Sequence, residues 1–375
     1  MAGLNHHSHP FDEGTLTKLD LYRRYVRAWL PVFLNSKFRP TKIQIFDFFA
    51  GPGYDKEGRS GSPVIAFQEI RSALSQSHLN NPEIHLYLNE MAPTKFASLE
   101  RVCQEKEFEG VAHVHLERRE FSDLFSVWKP CFEEMNTANL LFLDQNGLKQ
   151  ITQDVFKDIT AAARTDFLFF ISSSYAYRFK NDPQMIGPTP ITEDDFVGVS
   201  MNHVHRKMCE AYRRLIRPGW KYYLAPFSIK KGGNVYGLIF GSGHPLGMDK
   251  FLRICWREDP LRGEANFDID GERINTNSPS LFAQFDVPTK VSKFEDAVKD
   301  AVLSGRIRTN KDAYLFALTE GFMAAQVKDA LKKLVKAKIL PNQSFSISSE
   351  TCLSKERVPI QIARFSTEHD NDCNL

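Results

Sequence analysis

The chain has 375 residues, 42% of them hydrophobic and 25% charged, with a formal net charge of +2. That length and composition exclude wholesale disorder and a collagen-like chain and leave room for about two domains of ~150 residues each. The near-neutral total neither demands nor excludes a nucleic-acid partner, so the local distribution of charge must decide.

Six dispersed cysteines without a C-x-x-C pair offer neither a disulfide framework nor a closed zinc site. No apolar run approaches the ~18–20 residues of a membrane span, and the start of the chain has no apolar signal core. The expectation is a cytoplasmic protein with no membrane association and no metal. His6, His7 and His9 are read as part of a mobile terminus rather than as metal ligands.

Residues 15–35 space Leu19, Tyr22, Val26, Trp29 and Leu30 at helical intervals, predicting a helix that ends near Pro31 or a turn beyond. The apolar run Ile43 to Phe49 stops at Gly51-Pro52-Gly53, as a buried strand before a glycine turn would. Residues 62–76 read as a helix with Ser62 as N-cap and Pro63 in the first turn. The alternation then repeats: strands at Ile84–Leu88, His113–Leu116, Leu140–Leu143 and Phe167–Ile171, helices over 91–107, 121–135 and 151–163. Five apolar strands separated by helices predict a mostly parallel sheet covered on both faces, the α/β class with a Rossmann-like sheet. Two further strands are expected at Tyr222–Pro226 and Val235–Ser242, after an irregular insertion over 176–220 that holds a basic helix.

A boundary is predicted near 271–290, where Asn, Ser, Thr and Pro cluster without periodicity. Beyond it, three helices over 293–304, 310–319 and 323–338 precede a strand pair at Phe345–Ser348 and Ile360–Phe365. That is the outline of a small winged-helix-like α+β domain. The predicted organisation is therefore a first domain over 1–275, a second over 290–366 and a flexible tail over 367–375. Residues 290–365 hold 14 Lys/Arg against 8 Asp/Glu, a local excess of +6.

The strongest local signal is Asp47-Phe48-Phe49-Ala50-Gly51-Pro52-Gly53. Glycines there let the backbone approach a ligand and adopt positive φ. In an open α/β sheet, ligands bind at the carboxyl ends of strands. Pro52 and Tyr54 break the dinucleotide fingerprint, and no Gly-Lys-Ser/Thr follows, so this is neither that motif nor a Walker A loop. The D-x-F-x-G-x-G form matches the turn that S-adenosylmethionine (SAM) methyltransferases use for the amino-acid part of SAM. The bland alternative is an ordinary strand-to-helix turn.

Three further strand ends carry candidates. Glu90 lies 37 residues after Gly53, where a carboxylate can accept from both ribose hydroxyls; a helix-capping role is the alternative. Glu120 and Phe121 could hold the adenine amino group and face its ring, with Asp123 as a competing partner. Asp144, Gln145 and Asn146 precede Gly147, placing Asp144 and Asn146 where chemistry would occur; an Asn-Gly turn is the alternative. The basic helix with His203, His205, Arg206, Arg213, Arg214 and Arg217 could meet phosphate, but is read first as a solvated face. Lys328, Lys332 and Lys336 fall on one flank of the last predicted helix, one turn apart, and suit phosphate contacts.

The stretches KLDLYRRYVRAWLPVF, FDFFAGPGYDKEGRSGSPVIAF, FLDQNGLKQI and GLIFGSGHPLGMDKFLRICWREDPLRGEANFDID resemble the three-Cys-motif partner (TcmP) proteins over roughly residues 15–270. In that family Asp-Pro-Phe-Gly is the more frequent form of the later motif; here Gln145-Asn146 replaces its middle pair. The resemblance implies a SAM-methyltransferase-like fold, a bacterial setting and a three-cysteine partner that resembles radical-SAM enzymes. Carried over residue by residue, it implies Asp47, Phe48, Ala50, Gly51, Pro52 and Gly53 around the methionine part, Glu90 at the ribose, and Glu120 with Phe121 at adenine. It puts Asp144 and Asn146 at the reactive edge. Two functions follow as expectations: a SAM-dependent methyltransferase acting on or with DNA or RNA alongside that partner, or an inactive module that binds DNA or the three-cysteine protein.

Overall fold

The computed structural model describes residues 10–35, 40–77, 82–145, 147–270 and 289–364, except the side chain of Met185. The three N-terminal histidines, Asn146, most of the predicted boundary and the tail lie outside them.

The chain divides into two compact units. One runs to Asp259 and takes in Glu264–Ile269; the other holds Pro260–Gly263 and the chain from Asp270 onward. In the first, helix α1 (Glu13–Leu34) leads into β1 (Lys42–Asp47), α2 (Ser62–Ser75), β2 (Glu83–Asn89), α3 (Pro93–Cys103), β3 (His113–Glu117), α4 (Phe121–Glu133), β4 (Thr137–Asp144), α5 (Gln153–Ala161) and β5 (Thr165–Ile171). The short helices α6 (Ser173–Arg178) and α7 (Pro183–Ile186) and α8 (Val204–Arg213) follow, then β6 (Tyr223–Lys231), β7 (Asn234–Ser242) and α9 (Pro245–Glu258). Helix α9 has no counterpart in the periodicity reading above.

The seven strands form one sheet in the order β3-β2-β1-β4-β5-β7-β6. Strands β1 to β5 pair in parallel, and β7 runs antiparallel to both β5 and β6. The Rossmann-like sheet expected from the alternation is thus present, its far edge altered by a reversed strand. Because β1 pairs with both β2 and β4, the chain leaves β1 in one direction and returns to its other side. That switch point opens a crevice at the carboxyl edge.

Aromatic residues fix both faces of the sheet. On one, α4 presents Phe125, Trp128 and Phe132 to Phe46, Phe48 and Tyr87, with Phe46 stacked on Tyr87 at 4.4 Å. On the other, Tyr22 and Tyr25 of α1 lie against Phe142 and Phe240 at 4.3 and 4.8 Å. Each such side chain contributes ~1.5–3 kcal/mol on full burial. Helix α1 is therefore part of the sheet's covering layer, which places its first turns over the carboxyl edge.

Two local readings are corrected. Gly61, not Ser62, is the N-cap of α2, and Ser62 is the first helical residue. The basic stretch around α8 is only in part a solvated face: Arg213, Arg214 and Arg217 are exposed, but its first turn points inward. His205 is fully buried with Nε2 3.1 Å from Glu264, Arg206 pairs with the same carboxylate, and Arg214 grips Asp195 at 2.8 Å. A buried glutamate demands such partners.

In the second unit, α10 (Lys290–Leu303), α11 (Asn310–Thr319) and α12 (Ala324–Lys336) stand where three helices were predicted. Among the described residues the predicted strand pair does not form, and Phe365 lies outside them. Residues Ser349–Leu353 make the short helix α13, and Thr309 makes a single isolated bridge to Gln361. The Gln343 side chain clasps the backbone of Ala363 at both its N–H (3.0 Å) and its carbonyl (2.9 Å). One side-chain amide thus does what a ladder of main-chain bonds would do in a sheet.

Candidate cofactor and active site

A cavity of about 850 Å³ opens at the carboxyl ends of β1 to β5. Its walls bring together residues from the four strand ends that the sequence singled out: Phe48, Ala50, Pro52 and Gly53 after β1, Glu90 after β2, Glu120 and Phe121 after β3, and Asp144 at the end of β4. Two sequence candidates, Asp47 and Gly51, are not on the wall, and Asn146 lies outside the described residues.

Asp47 sits beneath the turn, 1% exposed. Its Oδ1 accepts from the Phe49 N–H at 3.2 Å, while Oδ2 is buried without a hydrogen-bond partner. Burial is the main cause that pushes its carboxyl up to about 7; Ser62 and the Phe49 N–H oppose this, nearby Asp144 adds to it, and Lys18 opposes it. Asp47 therefore positions the turn from below rather than touching what the cavity holds.

The turn depends on glycine at two points. Gly51 and Gly53 have φ of 69° and 93°, a region that other residues enter at a cost of ~1–3 kcal/mol. A Cβ on Gly53 would also stand 2.7 Å from Val102 Cγ2. Past the turn the chain makes an excursion closed by a Tyr54–Ser60 bridge and by Gly61 N–H donating to the Gly53 carbonyl at 2.7 Å. Asp55 ties this excursion to the start of the first unit. Burial works against its ionisation, but N–H donors from Phe11 (2.8 Å), Arg59 (2.8 Å) and Glu57 (2.9 Å) outweigh it and hold the carboxyl below its usual range.

Asn89, not singled out from the sequence, is the tie between two loops. Its Nδ2 donates to the carbonyls of Phe48 and Arg119, both at 3.1 Å, and its Oδ1 accepts from the Arg119 N–H at 3.0 Å. Ala50 N–H donates to the Asn89 carbonyl at 2.8 Å. A polar residue one place before an acidic one at a strand end was the available signal. The Glu90 side chain then uses Oε1 to accept from the Ala92 N–H at 2.7 Å and makes no other hydrogen bond among the described residues, while the Glu90 main-chain N–H donates to the Glu117 carbonyl at 3.2 Å. The N-cap of α3 is Ala92 and no side chain caps that helix, so Glu90 is not a helix cap, and its second oxygen stays available.

Glu120 is exposed at the N-cap of α4 and caps nothing with its side chain. Phe121 is 4% exposed, stacked on Phe49 at 5.5 Å and edge-on to Phe48 at 5.2 Å. Its ring is committed to the core and forms a wall.

At the end of β4 the polar groups engage one another. Asp144 Oδ2 pairs with Lys18 of α1, whose ammonium also lies over the Phe170 ring at 5.5 Å. Gln145 is buried, and its Oε1 accepts from the N–H groups of Gln150 (3.0 Å) and Ile151 (3.3 Å). Lys18 was invisible as a site residue because it is one lysine on an amphipathic helix. Lys231 and Tyr236, from the β6–β7 hairpin, and Tyr175 of α6 complete the far wall.

The lining has acceptors for a nucleoside: Glu90 keeps an oxygen for a diol, Glu120 is an exposed carboxylate, and the wall between them is a small-residue turn, while Lys18, Lys95, Arg119 and Lys231 balance the acidic groups around the cavity. Among the described residues no cluster of His, Cys, Asp and Glu could hold a metal, and no helix is long and apolar enough to cross a membrane.

No family model and no curated protein matches the sequence. Solved structures match at low identity. Trm1 from Pyrococcus horikoshii, in complex with S-adenosyl-L-methionine, is 14% identical, with a TM-score of 0.37 over 65% of this chain and 59% of that one. An O-methyltransferase from Bacillus cereus in complex with SAH is 9% identical, with a TM-score of 0.32 over 62% and 91%. TYW2 from P. horikoshii in complex with MeSAdo is 10% identical, with a TM-score of 0.29 over 64% and 65%. The match thus spans less than two thirds of the Trm1 and TYW2 chains. All three likenesses are distant. The sheet order, with its antiparallel β7, makes the first unit a Rossmann-like, methyltransferase-like fold.

Proposed function

We propose that the first unit binds SAM in the carboxyl-edge cavity and transfers its methyl group to a nucleic-acid acceptor, working beside a three-cysteine, radical-SAM-like partner. The observation that carries this reading is one cavity lined by the glycine turn, Glu90, Glu120 and Asp144 from four adjacent strand ends. SAM supplies an activated methyl on a sulfonium, a reaction that needs alignment more than acid–base help. The chain's own residues provide that alignment. The Ala50–Gly53 backbone allows close approach, Glu90 offers its remaining oxygen to the ribose, and Glu120 reaches toward the base. Asp144, held by Lys18 through Oδ2, offers Oδ1 as an acceptor for an N–H or O–H of the methyl acceptor. The excess of +6 over residues 290–365 supports a nucleic-acid acceptor. The partner rests on the resemblance to three-Cys-motif partner proteins.

The test is calorimetric titration of the full chain with SAM and with its demethylated product, beside Glu90→Ala. Saturable binding that weakens at least tenfold in the variant supports the reading. No binding at millimolar ligand by protein that circular dichroism shows to be folded overturns it.

A second reading has its own observation. With Asp144 paired to Lys18 and Gln145 Oε1 held by its own loop, two acceptors of the reactive edge are already engaged, while Gln145 Nε2 is buried without a partner. That favours a module that binds SAM without transferring the methyl group and serves as a partner or regulator. Radiolabelled methyl transfer to DNA, RNA and protein, with and without the three-cysteine protein, separates the two readings.

A further inference from the structure

The sequence placed phosphate contacts on Lys328, Lys332 and Lys336. The structure shows that flank of α12 to be partly spent: Lys332 pairs with Asp329 at 2.8 Å, and the neighbouring Lys333 with Glu295 at 2.5 Å. Another basic group in the same unit is built differently. Arg308 Nε donates to the Gly305 carbonyl at 2.8 Å, and Arg364 Nη1 to the Val302 carbonyl at 3.4 Å. Both guanidinium groups come within 4 Å of the place a Cβ would take on Gly305, at 3.6 and 3.7 Å. Both residues are exposed, and among the described residues neither has a carboxylate partner. The Asp312 carboxylate, in the same turn, accepts through Oδ2 from the main-chain N–H groups of Arg308 and Thr309 and makes no salt bridge with either guanidinium among the described residues. Arg306 and Lys311 flank the pair in sequence, exposed and also without a carboxylate partner.

A guanidinium has five N–H donors in a fixed fork. Each arginine here spends one on a main-chain carbonyl, which holds the group in place and leaves an outward edge free. Two like charges kept side by side without a counter-charge repel, and an anion between them relieves that repulsion. Such forks match phosphate oxygens in pairs, whereas lysine offers only a point charge. Anchoring also reduces the side-chain freedom lost on binding.

We infer that the face formed by Arg308 and Arg364 at the end of α10, extended by Arg306 and Lys311, is a phosphodiester-binding surface for nucleic acid. This rests on the nucleic-acid part of the function proposed above and moves its main contact away from α12.

The test is fluorescence anisotropy of the full chain with labelled single-stranded RNA, single-stranded DNA and duplex DNA between 50 and 200 mM salt. R308Q/R364Q is expected to weaken binding at least tenfold and to flatten the log–log salt slope by about 1.5–2, the loss of two phosphate contacts. R308K/R364K, which keeps both charges, is expected to fall between. K328A/K332A/K336A is expected to weaken binding less than threefold. Thermal melts of each variant separate lost contacts from lost folding, because Arg364 also bonds a carbonyl in the last turn of α10 and Arg308 the turn that follows it; should R308Q/R364Q not fold, R308K/R364K and K311Q carry the test. Wild-type affinity in the folded arginine variants overturns the inference and leaves the nucleic-acid reading standing. No binding by the wild type to any of the three nucleic acids overturns both. Equal competition by polyglutamate, or by free phosphate at matched ionic strength, overturns nucleic acid as the occupant.

Discussion

The two sides of the cavity are built on opposite plans. At the ends of β1, β2 and β3, buried polar residues turn inward to fix the backbone: Asp47 under the turn, and Asn89 between the Phe48 and Arg119 loops. That leaves Glu90 and Glu120 facing the cavity. At the end of β4 the residues on the wall are tied to neighbours instead, through Lys18–Asp144 and through Gln145 Oε1 on Gln150 and Ile151, with Gln145 Nε2 left without a partner. On the first side, scaffold and ligand-facing groups are separate residues. On the second they are the same residues, so anything entering there must compete with contacts that already exist.

The contrast can be broken most severely at Asn89. Asn89→Ala strands three main-chain groups, and should cost about 3–5 kcal/mol in urea denaturation, since each unsatisfied buried group costs ~1–3 kcal/mol. A loss below about 1 kcal/mol would mean the loops hold without the tie. Next is Asp47, whose sign is unusual for a carboxylate. Its folded pKa of about 7 lies above the unfolded value, so the protein holds an extra proton when folded. Wild-type stability from this group is full below the unfolded pKa and is lost as pH rises through 7. Asp47→Asn removes that dependence, and should gain about 2–3 kcal/mol on wild type between pH 5 and pH 8. Parallel pH profiles would show that Asp47 is ionised at little cost.

Gly53→Ala comes third, at about 1–3 kcal/mol for the φ of 93° alone, with SAM affinity falling because the turn must shift away from Val102. If stability falls while affinity does not, the turn is a packing element only. The smallest effect is expected at Lys18→Met. It removes a single partly buried ion pair worth about 1 kcal/mol, leaves SAM affinity within about threefold, and changes the methyl-transfer rate or its pH profile. An unchanged rate would favour the non-catalytic reading.

These residues also show which signals a sequence carries. The strands and the glycine turn were legible because apolar runs with punctuation are local. Glu90 and Glu120 were legible because a strand end followed by an acid is local too. Asn89, Lys18 and Asp55 were not, since each acts on a partner from another element: Arg119, Asp144 and Phe11. The absent strand pair in the second unit is the same lesson reversed. Phe345–Ser348 and Ile360–Phe365 have strand composition, but among the described residues their backbone bonds go to Asn310, Arg308 and the Gln343 side chain instead of to each other.

The hydrogen bond from Phe11 to Asp55 joins the lead-in to α1 directly to the excursion that follows the glycine turn. Both Phe11 and the residues after the glycine turn line the cavity, so this one bond ties two of its walls to each other.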